Sequence, residues 1–285
     1  MSPSNRVRLG AVGYLNARPL VFGLDRSPRF VLRYDLPSEC ARLLQAGDID
    51  VGMIPSVEYL HGDAYQIVPD LAIASHGPVA SVGLFTTRPM SDVRSIVMDA
   101  SSRTSVALVR VLCARLFKIH PAIESLEPDL PSMLARGDAA LLIGDNALLW
   151  EGTTVRLKPD TTYDTTDDAT THDDRNVQKI DLGEAWTSMT GLPFVWAVWA
   201  GRAGALTRDE VSALQAARDA GVGQPEAIAR EYFRNTPRHG ELGARYLREN
   251  IQYYLGGEER AGLETYYRYA VEIGVAPAGR ALRFY

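Results

Sequence analysis

The feature that most constrains this chain is an internal echo. Residues 43–54 read LLQAGDIDVGMI, and ninety positions later residues 133–144 read MLARGDAALLIG. Each copy is a helix-like stretch, a Gly-Asp turn and an apolar strand-like run. The strand-like run 94–100, the polar loop 101–105 and the helix-like run 106–117 likewise echo the opening strand 6–13 and the turn at Asn16 to Pro19. Gly-Asp after a helix is common punctuation, but several features recurring in register favour two similar α/β halves before residue 150. Alternating strand and helix is the pattern of mostly parallel sheets, whose ligands bind outside the carboxyl ends of the strands. Two such halves facing one another make a cleft.

Residues 79–86 form a strand-like run whose natural return partner is 193–200, and the two are expected to cross between the halves. Helical patterns follow at 208–220, 225–235, 240–254 and 258–273, expected to pack back on the first half. The chain then divides into a discontinuous first lobe, 1–86 with 196–285, and a second lobe, 87–195. Pro19 is expected near the first position of a helix, and Gly47 as a left-handed helix cap. Residues 152–178, rich in Thr and Asp, read as an exposed loop inserted in the second lobe. Their acidic spacing lacks the glycine turn and closing glutamate of a calcium-binding loop.

With 285 residues, 46% hydrophobic and 23% charged, the chain can supply a core to each of two lobes. The net charge of -5 is mild and scattered, which argues against a nucleic-acid partner. Arg6 and Arg8 precede an apolar stretch, but Asn16, Arg18 and Pro19 interrupt it, so the start reads as mature and cytoplasmic rather than as a signal. The richest apolar run, 192–200, is strand-sized, and no membrane partner is expected. Cys40 and Cys113 stand far apart and read as buried free thiols. The five histidines show no metal-ligand spacing, and the lone His76 near the crossing reads as structural. No nucleophile elbow, phosphate loop or dinucleotide fingerprint is present, Gly10-Ala-Val-Gly13 having the wrong spacing. The expected partner is a small molecule, held without metal or cofactor.

Helix N-termini offer unpaired N–H groups and a positive dipole end, so they suit anions. Asn16, Ser56, the 101–105 loop and Asp145 all fall at expected strand ends. Within Ser101-Ser102-Arg103-Thr104-Ser105, the hydroxyls and free N–H groups can grip a carboxylate while Arg103 adds charge; the same segment can equally be an ordinary helix cap. Asp145 would repel an anion, so it caps a helix, bonds a ligand hydroxyl or orients a neighbour.

These segments together resemble the chorismate dehydratase family of the futalosine route to menaquinone. The resemblance rests on Gly13-Tyr14-Leu15-Asn16 with Pro19-Leu20, Gly52 to Tyr59, Gly77-Pro78-Val79 through Ser81-Val82, Thr104 to Leu108, Leu141 to Asp145, Asp181-Leu182-Gly183 through Trp186, and Thr190 to Phe194. The blocks run in order across most of the chain. They imply a two-lobed periplasmic-binding-protein-like fold of type II with a ligand cleft between the lobes, used as a cofactor-free cytoplasmic lyase. Its reaction removes water from chorismate to give 3-[(1-carboxyvinyl)oxy]benzoate. The resemblance puts Asn16 and Ser81 at the reacting face, with Ser56, Thr104 and Ser105 as carboxylate donors and Asp145 as an orienting group, and the helix-start reading adds Ser102 and Arg103 as substrate-binding groups. No protein base stands out, which leaves the enolpyruvyl carboxylate of the substrate as a candidate base.

Three other readings use the same fold. The sister 1,4-dihydroxy-6-naphthoate synthase has an opening Tyr-Ser-Pro-Cys-Pro-Asn-Asp motif and an Ile-His-Glu-Gly segment that are missing here. A non-catalytic solute-binding protein would capture an anion without turnover. A regulator's effector domain would follow a DNA-binding helix-turn-helix, and the chain opens directly on its first strand.

Overall fold

The computed structural model describes residues 6–62, 64–155 and 177–285. Strand β1 (Val7–Val12) is buried on both faces apart from Arg8, as a central strand covered by helices should be. It pairs in parallel with β2 (Phe30–Asp35) and β3 (Val51–Pro55). Between these lies α1 (Pro37–Ala46), opened by Pro37 and closed by Gly47 at φ 81°. The segment after β1 departs from expectation: Leu15–Val21 is a 3-10 helix with Pro19 inside it. Proline has no N–H to donate, so it suits a short, tight turn better than a continuing α-helix.

Strand β4 (Tyr65–Ser75) forms the far edge of the first sheet, and the chain then enters the second through β5 (Val82–Thr86). There follow β6 (Ser95–Asp99), α2 (Arg103–Leu112), β7 (Ala122–Leu126), α3 (Leu130–Arg136), β8 (Ala139–Ile143), α4 (Gly144–Leu148), β9 (Thr153–Val155), β10 (Gln178–Asp181) and α5 (Leu182–Thr190). Strand β11 (Phe194–Arg202) returns to the first sheet. The orders are β2-β1-β3-β11-β4 and β7-β6-β8-β5-β10-β9.

The echo in the sequence is thus an echo in architecture. In each sheet three parallel strands come first, and an antiparallel strand pairs with the third: β11 on β3, β5 on β8. The two glycines of the echo differ, however, since Gly137 has an extended φ of -139° where Gly47 is left-handed.

Two expectations need correcting. Strands β5 and β11 are not partners; each is inserted into the opposite sheet, β5 between β8 and β10 and β11 between β3 and β4. Because β5 belongs to the second sheet, the first crossing occupies 76–81 rather than following residue 86, and the return lies at 191–193. The Thr- and Asp-rich run is narrower than 152–178, since β9 and β10 occupy its two ends; residues 156–176 lie outside the described residues.

Helices α6 (Arg208–Val222), α7 (Pro225–Tyr232), α8 (Gly240–Glu249) and α9 (Gly257–Glu272) fall where the apolar periodicity puts them. Helix α6 lies on the 3-10 segment and β4, and α7 lies against α8. Helix α9 does more than cover the first lobe: it also touches α2 of the second, where the Tyr266 hydroxyl donates to the Thr104 carbonyl at 3.0 Å. One apolar core runs through both lobes from Leu9 to Leu141, and a smaller cluster around Phe85 and Met133 fills the far side of the second sheet. Cys40 and Cys113 are free and buried in the larger core, and desolvation pushes both thiols up to about 12. Among the described residues no helix is long and apolar enough to cross a membrane.

Candidate active site

The carboxyl ends of β1, β3, β6 and β8 meet between the lobes. Side chains just beyond them, Tyr14, Asn16, Ser102 and Ser105, line a cavity of about 50 Å³ together with Ser81 and Trp196. Ordinary ligand pockets span roughly 300–1,000 Å³, so the lobes are closed down on a space fit for a few waters. Larger grooves of about 530 and 780 Å³ run along α7 outside the cleft. The strand ends, not the volume, mark the site.

On one wall a single tyrosine joins the two residues expected at the reacting face. Tyr246 of α8 donates its hydroxyl to Ser81 Oγ at 2.7 Å, and the Asn16 side chain acts on the same phenol, lowering its pKa against burial. Burial raises the phenol's pKa, so it stays protonated and keeps its donor. Asn16 Oδ1 is buried and meets no hydrogen-bond partner among the described residues. An acceptor left so costs about 1–3 kcal/mol, which suits an atom meant for a ligand donor.

The facing wall is the start of α2. Ser102 caps this helix: its Oγ accepts the Ser105 N–H at 3.4 Å and lies 2.9 Å from Ser105 Oγ. The N–H groups of Arg103 and Thr104, first in the helix, have no intrahelical acceptor. Capping and anion binding, read as alternatives in the sequence, here share one element.

Three other expected binding groups lie off the cavity. Ser56 Oγ donates to the Val195 carbonyl at 2.7 Å and faces Thr104 Oγ1 at 3.4 Å, while Thr104 Oγ1 accepts the Val57 N–H at 3.2 Å. Both hydroxyls are committed to the seam between lobes, and of the expected binding hydroxyls only those of Ser102 and Ser105 line the cavity. The Arg103 guanidinium turns outward to Glu58, at 3.0 Å. It ties the lobes rather than adding charge to the cleft.

Asp145 is a second tie. Its carboxylate accepts from the Tyr232 hydroxyl of α7, and burial raises its pKa against that bond and the nearby Leu15 backbone N–H. The neighbouring Gly144 has φ 61°, and a Cβ there would lie 2.8 Å from the Tyr14 ring. Glycine is required for both reasons. A third tie is a backbone bond at 3.1 Å from the Ser38 N–H to the Ser101 carbonyl. His76 is exposed and lines nothing in the cleft.

Ser81 sits at the end of the first crossing, and Asp181 holds that crossing. The buried carboxylate accepts the N–H groups of Val79 at 3.0 Å and Ala80 at 2.7 Å, and those of Gly183 and Glu184 at the start of α5. The two sequence blocks around Ser81 and Asp181 are therefore one structural device. Tyr246 gave no signal in the sequence, being one of thirteen tyrosines on an ordinary amphipathic helix.

A family model described as menaquinone biosynthesis matches residues 7–272. The chain belongs to this family. It is similar to the chorismate dehydratase of Thermus thermophilus, with 32% identity over 90% of this chain and 93% of that protein. Among solved structures, a protein of Archaeoglobus fulgidus superposes with a TM-score of 0.70 at 16% identity, covering 96% of this chain and 100% of the other. The periplasmic aliphatic sulphonate binding protein of Escherichia coli does so at 0.59 and 14%, covering 100% and 97%. At such identities the superpositions speak for fold, and the fold of this family member is periplasmic-binding-protein-like.

Proposed function

We propose that this chain is a chorismate dehydratase of menaquinone biosynthesis, acting in the cytoplasm as a lyase that needs no cofactor. The observation that carries the reading is the match to the Thermus enzyme across nine-tenths of the chain. The cleft supports it: five of the seven blocks that carry the sequence resemblance contribute to the lining of one cavity, with the Asn16 acceptor and the Ser81 hydroxyl on one wall and a helix start on the other.

The chemistry asks little of the protein. Removing the proton from the carbon that bears the enolpyruvyl ether leaves charge that spreads onto the ring carboxylate. Loss of the neighbouring hydroxyl as water then yields an aromatic ring. No electrons leave the substrate, and aromatisation drives the reaction. The N–H groups and hydroxyls at the start of α2 are suited to pin a carboxylate, while the Asn16–Tyr246–Ser81 cluster faces the reacting carbons. Among the described residues the cavity lining contains no carboxylate or imidazole, which favours the substrate's own enolpyruvyl carboxylate as base. Closure of the lobes excludes water.

Metal-stripped protein incubated with chorismate tests this. Loss of the diene absorbance, with a product lighter by one water, is expected without any addition. Tight binding with no turnover would make the chain a receptor, and neither binding nor turnover would remove chorismate as its ligand.

A further inference from the structure

Lys179 and Asp181 stand two residues apart on β10, on one face, and both are buried. Asp181 grips the crossing by its N–H groups, and Lys179 grips it by a carbonyl. The Lys179 ammonium donates to the Ala80 carbonyl, next to Ser81, and to the Ala147 carbonyl of α4 at 2.7 Å. Ala147 lies two residues beyond Asp145. Between the two grips Ala80 is held at φ 60°, a left-handed conformation that alanine seldom adopts, and the Ser81 N–H turns back to the Val79 carbonyl at 2.7 Å. Space for the lysine stem comes from Gly83, where a Cβ would lie 2.9 Å from Lys179 Cε.

We propose that Lys179 is a positioning residue: by tying the Ala80 carbonyl to the Ala147 carbonyl it sets Ser81 against Asn16 and Tyr246, and Asp145 against Tyr232. The proposal rests on the reading of Ser81 as a group at the reacting wall.

The ammonium is also poised to change charge. Burial lowers its pKa to about 8, opposed by Asp181. Asp181 on the same strand is the charged group that faces it; β5 presents the Phe85 ring, 5.7 Å away, and the crossing and α4 present the two carbonyls. A neutral amine holds those carbonyls more weakly than an ammonium. Stability moves the other way. From about pH 8 to the ordinary lysine value of about 10.4 the folded chain binds fewer protons than the unfolded one, so the Lys179 contribution to stability rises with pH. A merely structural lysine would leave turnover untouched as the amine discharges; a positioning lysine lets turnover fall while the fold is not weakened.

The experiment compares wild type with Lys179→Met from about pH 6 to about pH 10, reading kcat and KM on chorismate, thermal unfolding, and amide hydrogen exchange of the peptide covering 76–84. Wild-type kcat is expected to fall above about pH 8 at steady KM, with no fall in the unfolding midpoint relative to Lys179→Met. The variant is expected to have a kcat lower by ~10–100-fold, as small misplacements give, to lack that pH limb, and to exchange its 76–84 amides faster. A variant kcat within about twofold of wild type, an unchanged pH limb in the variant, or unchanged exchange would overturn the proposal. If Lys179→Met does not fold, the wild-type curves decide: kcat and the unfolding midpoint falling together above about pH 8 would overturn it. Absence of wild-type turnover near neutrality would instead count against the dehydratase reading, and the exchange comparison would still judge the hold on Ser81.

Discussion

At the scale of single residues, the reacting wall depends on a tyrosine 165 positions from the serine it serves. Tyr246→Phe removes one hydroxyl and leaves Ser81 short of a partner, so a stability loss of ~1–2 kcal/mol is expected, together with a loss of turnover well beyond what that instability explains. Equal losses in denaturant stability and activity assays would reduce Tyr246 to a packing residue. Asn16 and Ser81 were expected at the reacting face from the family resemblance, and the fold brings both to the lining of one cavity. Tyr246 and Lys179 were not, because each acts through a contact that forms only when distant segments fold together. Arg103 was misread for a related reason: its charge was visible, but its partner Glu58 lies across the lobe seam.

At the scale of elements, α2 and the Gly144-Asp145 turn do the most. Ser102→Ala should cost about 1 kcal/mol as a lost cap and should also raise KM for chorismate, since the same serine lines the cavity; an unchanged KM would leave it a cap alone. Gly144→Ala puts a Cβ against the Tyr14 ring at a left-handed φ, where an L-residue costs roughly 1–2 kcal/mol. Steady-state assays are expected to show a raised KM, because the strain falls on the seam between the lobes; an unchanged KM would place the strain elsewhere. Strands and helices were read well from apolar periodicity. Strand pairing was not, because β5 and β11 each answer to partners in the opposite sheet, and sequence order does not encode that exchange.

At the scale of the whole molecule, the ninety-residue echo correctly foretold two like lobes, and the cleft between them holds both walls of the candidate site. In the closed state the cavity, at about 50 Å³, is too small for a ten-carbon dicarboxylate, so the lobes must part for substrate to enter. The ties at Asp145–Tyr232 and Arg103–Glu58 oppose that parting. Dehydration of chorismate in this cleft, with Ser81 at the reacting wall, is what the proposed function requires. Its most direct measurement is a single-turnover reaction of wild type and Ser81→Ala with chorismate, alongside calorimetric binding to both. Dehydration by wild type is expected and, in Ser81→Ala, retained binding with turnover reduced by ~100-fold or more. Turnover at the wild-type rate in Ser81→Ala would contradict it.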